Sequence, residues 1–204
     1  MAGADGLAPA DGEGPDGGPS ARLAGGDPRP LVLLLCTGNA ARSVMAGAAL
    51  AGAPIRVLTA GTHVVEGQPM SRRTRAALEA VGIAPGHHRS HQVTADDLAA
   101  ADVVVAMSGE HVAWVRRAHP GAAAKTATIK RLCRDLEAGE DPLAERVARL
   151  GLAGVELGTW EDVEDPAGGE DEDYLACATS LRELCSQLME RVATVPGPAE
   201  PARR

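Results

Sequence analysis

The sequence predicts an α/β fold: a parallel sheet with helices on both faces, a three-layer α/β/α arrangement in a single domain. Three observations predict it. Continuous apolar runs, the mark of strands buried on both faces, stand at "LVLLLC" (31–36) and "DVVVAM" (102–107). Stretches of helical composition separate such runs, and strands alternating with helices imply parallel crossovers. The chain has 204 residues, 45% of them hydrophobic, which suits one core of ordinary size.

The elements follow in order. Residues 1–29 are dominated by Gly, Pro, Ala and Asp; they bury too little to offset their ordering entropy, so a disordered tail is expected. Residues 196–204 read the same way, leaving a domain over 30–195. After the strand at 31–36, Ser43 to Ala53 has helical composition and stops at Gly52 and Pro54. "IRVLTAG" (55–61) is a second strand. "SRRTRAALEAVGI" is a helix with Ser71 as its cap and Gly82 closing it. Thr94 caps another short helix. After the strand at 102–107, "GEHVAWVRRAHPG" is a helix ended by Pro120 and Gly121. "TATIKRL" (126–132) reads as a fourth strand. Residues 137–159 are ambiguous, with one helix around Leu143–Leu150. The last helix spans Asp171 to Val192, with Leu181, Leu184, Leu188 and Val192 as its apolar stripe.

Composition excludes some functions. The net charge of −8 argues against nucleic acid as a partner, because phosphate backbones need a basic face. No apolar run approaches the ~20 residues that span a membrane, and no signal peptide is evident, so a cytoplasmic protein is expected. The four cysteines, at 36, 133, 177 and 185, show no zinc spacing and suit a reducing compartment. Cys177 and Cys185, ~12 Å apart along one helix, cannot pair. Heavy use of Ala, Gly and Arg, with Lys only at 125 and 130, suggests a GC-rich bacterial genome. Trp114 and Trp160 read as packing anchors. His87, His88 and His91 cluster without a carboxylate or cysteine that would complete a metal set.

The chemistry sits in "CTGNAARS" (36–43). A strand–loop–helix turn presents backbone N–H groups at a helix start, and these with the helix dipole make an anion site. Thr37, Gly38, Asn39, Ala40, Ala41, Arg42 and Ser43 form that cradle. Gly38 permits close approach, and Asn39 tolerates a left-handed conformation. Arg42 can grip two oxygens of an oxyanion in a fork. Cys36 lies at the floor, where the same N–H groups, Arg42 and Ser43 favour a thiolate nucleophile. The leaving oxygen needs an acid. Residues 156–173 hold nine acids and no base, and Asp165–Pro166 forms a turn-initiating pair just before the last helix.

Together "CTGNAARS", "TAGT", "GQPMSRRTRAALEAVGI", "HHRSHQVTADDLAAADVVVAMSGEH" and the late "DP" resemble the low-molecular-weight protein tyrosine phosphatases and their arsenate-reductase relatives, over about residues 31–193. The resemblance implies a four-stranded parallel sheet with the phosphatase loop after the first strand. It implies Cys36 as nucleophile, Arg42 as phosphate clamp and Asp165 as general acid, with Thr59 and His88 holding the loop's asparagine. It implies metal-free hydrolysis of a phosphorylated protein or small phosphomonoester through a phosphocysteine, with no cofactor. The chain also departs from the family. A second cysteine usually stands beside the arginine, where this chain has Ala41. Aromatics usual after the Asp-Pro pair and near "TAGT" are replaced by Ala167–Gly168 and His63–Val64–Val65, which puts phosphotyrosine specificity in doubt. Residues 131–159 are longer than the family norm. Two other functions use the same loop: a thiol-coupled arsenate reductase, and a non-catalytic phosphate-binding module. The acidic run raises a third point, the preference for a cationic substrate such as a phosphoarginine-like group.

Overall fold

The computed structural model describes residues 27–192. The tails expected at 1–29 and 196–204 lie outside the described residues, apart from 27–29, and so does the end of the 30–195 domain. Four parallel strands form one sheet: β1 (Leu31–Cys36), β2 (Arg56–Gly61), β3 (Val103–Ala106) and β4 (Thr126–Thr128), in the spatial order β2-β1-β3-β4. All six residues of β1 are buried, as its unbroken apolar run requires at the centre of a covered sheet.

Among the described residues seven α-helices accompany the sheet: α1 (Arg42–Ala49), α2 (Arg72–Ala80), α3 (Ala95–Ala100), α4 (Gly109–Ala118), α5 (Ile129–Asp135), α6 (Leu143–Ala148) and α7 (Asp171–Val192). Strand alternation divides the core in two. Val32, Leu34 and Cys36 face Val44 and Met45 of α1 and Leu181, Cys185 and Leu188 of α7. Leu33 and Leu35 face the other way, onto Leu98 of α3 and Val115 of α4. Cys177, Ala178 and Cys185 join the α7 stripe, and Leu184 sits half-buried at its edge.

Some boundaries differ from the sequence reading. β4 ends at Thr128 instead of running to Leu132. The Thr128 hydroxyl accepts the Arg131 N–H at 3.2 Å and so starts α5 where a strand was expected. The first helix starts at Arg42 and ends at Ala49, earlier than Ala53.

The order of the strands fixes where a ligand can sit. The chain leaves β1 for β2 on one side and later returns on the other side to β3. That reversal opens a crevice at the carboxyl ends of β1 and β3. Cys36 is the last residue of β1, and α4 begins just past the end of β3.

Candidate active site

Cys36 is 3% exposed, and its Sγ lies 3.1 Å from Ser43 Oγ. Ser43 Oγ already accepts a hydrogen bond from Asn39 Nδ2 at 2.9 Å. Its own hydrogen is therefore available to the sulfur. Asn39 is fully buried with φ 49°, the one non-glycine residue with positive φ among the described residues. Its Oδ1 accepts the His91 N–H at 2.9 Å, which fixes the direction of the amide.

The backbone of the loop is held from outside. The carbonyls of Cys36 and Thr37 accept the N–H groups of Thr62 and His63, each at 2.9 Å. The Asn39 carbonyl accepts from His88 Nε2, and the Ala40 carbonyl from the Thr74 hydroxyl, each at 2.9 Å. In a trans peptide the following N–H points opposite to the carbonyl, and no cis peptide occurs among the described residues. The N–H groups of Thr37, Gly38, Ala40 and Ala41 are thus turned away from these outer partners, toward the interior of the loop. Gly61 makes the support possible: a β-carbon there would stand 2.5 Å from the Thr37 carbonyl oxygen and 2.9 Å from Asn39 N.

Arg42 opens α1 and is 4% exposed. Its Nη1 donates to the Val163 carbonyl at 3.4 Å, and its Nη2 to Asp165 Oδ2 at 2.5 Å. The other oxygen of Asp165 accepts the Ala167 N–H at 3.1 Å, an Asx turn through the Asp-Pro pair. The fold thus brings Cys36 and Ser43 to one loop with Arg42, and sets Asp165 against the Arg42 guanidinium from 123 residues away. The acidic run at 156–173 does not surround Asp165 with like charges alone; its nearest charged partner is a cation.

Of the two residues expected to hold Asn39, His88 reaches the backbone carbonyl. Burial pushes the His88 pKa down, so the ring is neutral and carries its proton on Nε2 to donate there. Thr59 is a correction. It sits inside β2 opposite Leu34, and its methyl carbon lies 2.6 Å from where a β-carbon on Gly47 would stand. Its place on the strand points it at α1 and not at the loop. The Asn39 side chain is held instead by the His91 backbone. The His91 ring bridges Asp97 and Glu66; burial opposes its charge, but those two carboxylates outweigh it and raise the pKa.

Sequence reading also missed His111. It is buried, with Nε2 2.9 Å from the Thr37 hydroxyl and Nδ1 2.7 Å from the Ser108 hydroxyl. Burial, with help from the charge of Arg42, drives its pKa down to about 3. The only signal was its place in "SGEH" at the end of a strand beside the cysteine strand. The other cysteines are packed away: burial pushes Cys133 up to about 11 and Cys177 and Cys185 up to about 12. Among the described residues no group of three or more His, Cys, Asp or Glu side chains is arranged to hold a metal ion. Nor is any helix of those residues long and apolar enough to cross a membrane.

Comparison with known proteins adds an independent line. A family model described as low molecular weight phosphotyrosine protein phosphatase matches residues 31–145. A protein-arginine-phosphatase of Geobacillus stearothermophilus is 30% identical over 166 residues, covering 80% of this chain and 96% of the relative. The solved YwlE arginine phosphatase from that organism superposes with a TM-score of 0.63, at 30% identity, over 80% of this chain and 92% of the other. A low molecular weight protein tyrosine phosphatase from T. tengcongensis superposes at 0.62, with 32% identity over 79% of this chain and 98% of the other.

Proposed function

Since the chain belongs to the low molecular weight phosphotyrosine protein phosphatase family, we propose how its residues divide the hydrolysis and which phosphoryl group they take. Cys36 attacks phosphorus in line as a thiolate. The inward N–H groups of the loop and the Arg42 fork bind the three equatorial oxygens and offset the charge that builds there. As the bond to the leaving group breaks, Asp165 gives that group a proton, and a phosphocysteine remains. Asp165, now a carboxylate, takes a proton from water as its oxygen attacks phosphorus. The thiolate leaves, inorganic phosphate forms and Asp165 is again protonated. Ser43, donating to sulfur, stabilises the departing thiolate. The observation that carries this reading is the chain Asn39–Ser43–Cys36 beneath an Arg42 that also touches Asp165.

The preferred substrate is a phosphorylated protein carrying phosphoarginine. Asp165 lines a cavity of about 580 Å³ together with Asp162, Glu164, Asp173 and one cation, Lys130. The carboxylates outnumber Lys130 and favour a guanidinium beside them. The residues after Asp165–Pro166 are Ala167 and Gly168, which offer no ring to stack on a tyrosine. The similarity to a protein-arginine-phosphatase over nearly the whole of that protein points the same way. For the arsenate-reductase alternative, a relay within the chain is not supported, because burial holds Cys133, Cys177 and Cys185 in the thiol form; it would need an external thiol.

The first test is hydrolysis of p-nitrophenyl phosphate at pH 5–8 without added metal. The wild type turns over, Cys36→Ser is inactive, and Asp165→Asn is weakened, far more on phenyl phosphate, whose leaving group needs the proton, than on p-nitrophenyl phosphate. An inert wild type that still binds phosphate would leave the arsenate reductase and the binding module. The second test compares kcat/KM on phosphoarginine and phosphotyrosine peptides. Preference for arginine by about tenfold, some 1.4 kcal/mol, is expected; parity or a preference for tyrosine removes the arginine assignment.

A further inference from the structure

The segment that leads into Asp165 is pinned at Glu161, Asp162 and Val163, and the strongest pin lies outside the 36–43 loop. Glu161 is completely buried in a short turn, Thr159–Glu161. Its carboxylate takes four hydrogen bonds. Arg131 supplies two, from Nε to Oε2 at 2.8 Å and from Nη2 to Oε1. The Thr128 hydroxyl donates to Oε2 at 2.8 Å, and the Gly158 N–H to Oε1 at 2.9 Å. Arg131 Nη2 also reaches the Glu156 carbonyl at 2.9 Å, and the Trp160 ring lies against Arg134 and Arg131. Beyond the clamp, Asp162 Oδ1 accepts the Gly109 N–H at 2.7 Å and the Asp162 carbonyl accepts from Lys130 Nζ at 2.6 Å. Val163 N–H donates to the Met107 carbonyl at 2.8 Å, and its side chain is buried.

A buried ion pair is seldom needed for stability, since apolar side chains of similar volume serve as well. What a carboxylate adds is direction: here it ties the turn at once to the end of β4, to α5 and to Gly158. Arg42 alone cannot hold Asp165 during the reaction, because the same guanidinium must also grip the phosphoryl oxygens. The place of Asp165 then depends on the backbone that carries it.

We infer that Glu161 and Arg131 are positioning residues for proton transfer: their clamp sets the backbone that aims the Asp165 carboxyl at the leaving group. The inference rests on the proposed role of Asp165 as general acid. It implies a specific kinetic signature. A misaimed acid matters most when the leaving group is a poor one and needs its proton, and matters little when it is a good one.

The test measures kcat/KM on phenyl phosphate and on p-nitrophenyl phosphate for the wild type, Glu161→Gln, Arg131→Lys and Asp165→Asn, with inhibition by vanadate as a measure of the intact loop. In Glu161→Gln the ratio of phenyl to p-nitrophenyl rates is expected to fall about tenfold, with vanadate inhibition within about twofold of wild type. Arg131→Lys keeps the charge and gives up the two-pronged contact, and its ratio is expected to fall in the same direction. If Glu161→Gln does not fold, the Arg131→Lys ratio decides alone. A shifted ratio in Asp165→Asn with wild-type ratios in the clamp variants overturns this inference and leaves Asp165 as the acid. An unshifted ratio in Asp165→Asn overturns both.

Discussion

Gly61 has no room for a side chain, because the backbone of the catalytic loop passes directly over it. Gly61→Ala must push the Thr37 carbonyl and the Asn39 amide outward, which opens the N–H cradle. We expect kcat to fall about 10²-fold, as a displacement near 1 Å does, with about 1–3 kcal/mol of stability lost to overpacking. Steady-state kinetics and a urea melt on the same preparation check both. His111 makes a second prediction. In the unfolded chain it gains a proton near pH 6.5, but in the folded one only near pH 3. The unfolded state therefore binds that proton first. The contribution of His111 is intact above pH 6.5 and is lost as pH falls toward 3, by at most about 1.4 kcal/mol per unit. His111→Asn should flatten that limb; equal slopes in urea unfolding at pH 7, 6 and 5 would count against the burial of a neutral ring. At this scale the sequence was legible where side-chain chemistry is local. The roles of Asn39 and Ser43 follow from spacing inside one loop. That Thr59 turns away from the loop depends on which face of a strand looks at it, and "TAGT" alone does not say.

Among the elements, Thr128 does two jobs with one hydroxyl: it caps α5 through the Arg131 N–H and donates to Glu161. Thr128→Ala should cost about 2 kcal/mol, a lost cap plus a lost bond to a buried carboxylate. In a chain of this size that is a drop of roughly 4–8 °C in thermal midpoint. A shift under 1 °C would mean that water or a neighbour replaces both contacts. Arg131→Met is harsher. It leaves the Glu161 carboxylate buried without its cation, and about 3–5 kcal/mol is expected from chemical denaturation. Burial alone would push Glu161 up, yet Arg131, Gly158 and Thr128 hold it below the usual carboxylate range. The stability this supplies is present above the unfolded pKa and is lost as pH falls through the folded one. β1, α2 and α7 were legible from the sequence because each carries a long, consistent pattern. The boundary between β4 and α5 was not, since a three-residue strand leaves too little periodicity to see where the cap begins. The clamp was invisible for another reason: Arg131 and Glu161 are 30 residues apart and share no motif.

For the molecule as a whole, the net charge of −8 acts on association. A phosphoarginine peptide with further basic residues is drawn in, and salt weakens that attraction. Its kcat/KM should fall as ionic strength rises from 0.01 to 0.15 M, while that of an acidic phosphotyrosine peptide should rise. Matching salt profiles for the two would show that long-range charge plays no part in selection. The chain has two tryptophans, one tyrosine and no phenylalanine. Trp114 stands edge-on to His63, ring centroids 6.3 Å apart, and His63 N–H holds the Thr37 carbonyl. Trp160 lies over Arg134 at 4.1 Å, on the turn that carries Glu161. The two indoles therefore sit on separate supports of the site, one behind the 36–43 loop and one behind the segment that carries Asp165. Each makes a native fluorophore for its own side. With Trp114 replaced by phenylalanine, emission reports the acid segment; with Trp160 replaced, it reports the loop, and vanadate titrations would time the two separately without any attached dye.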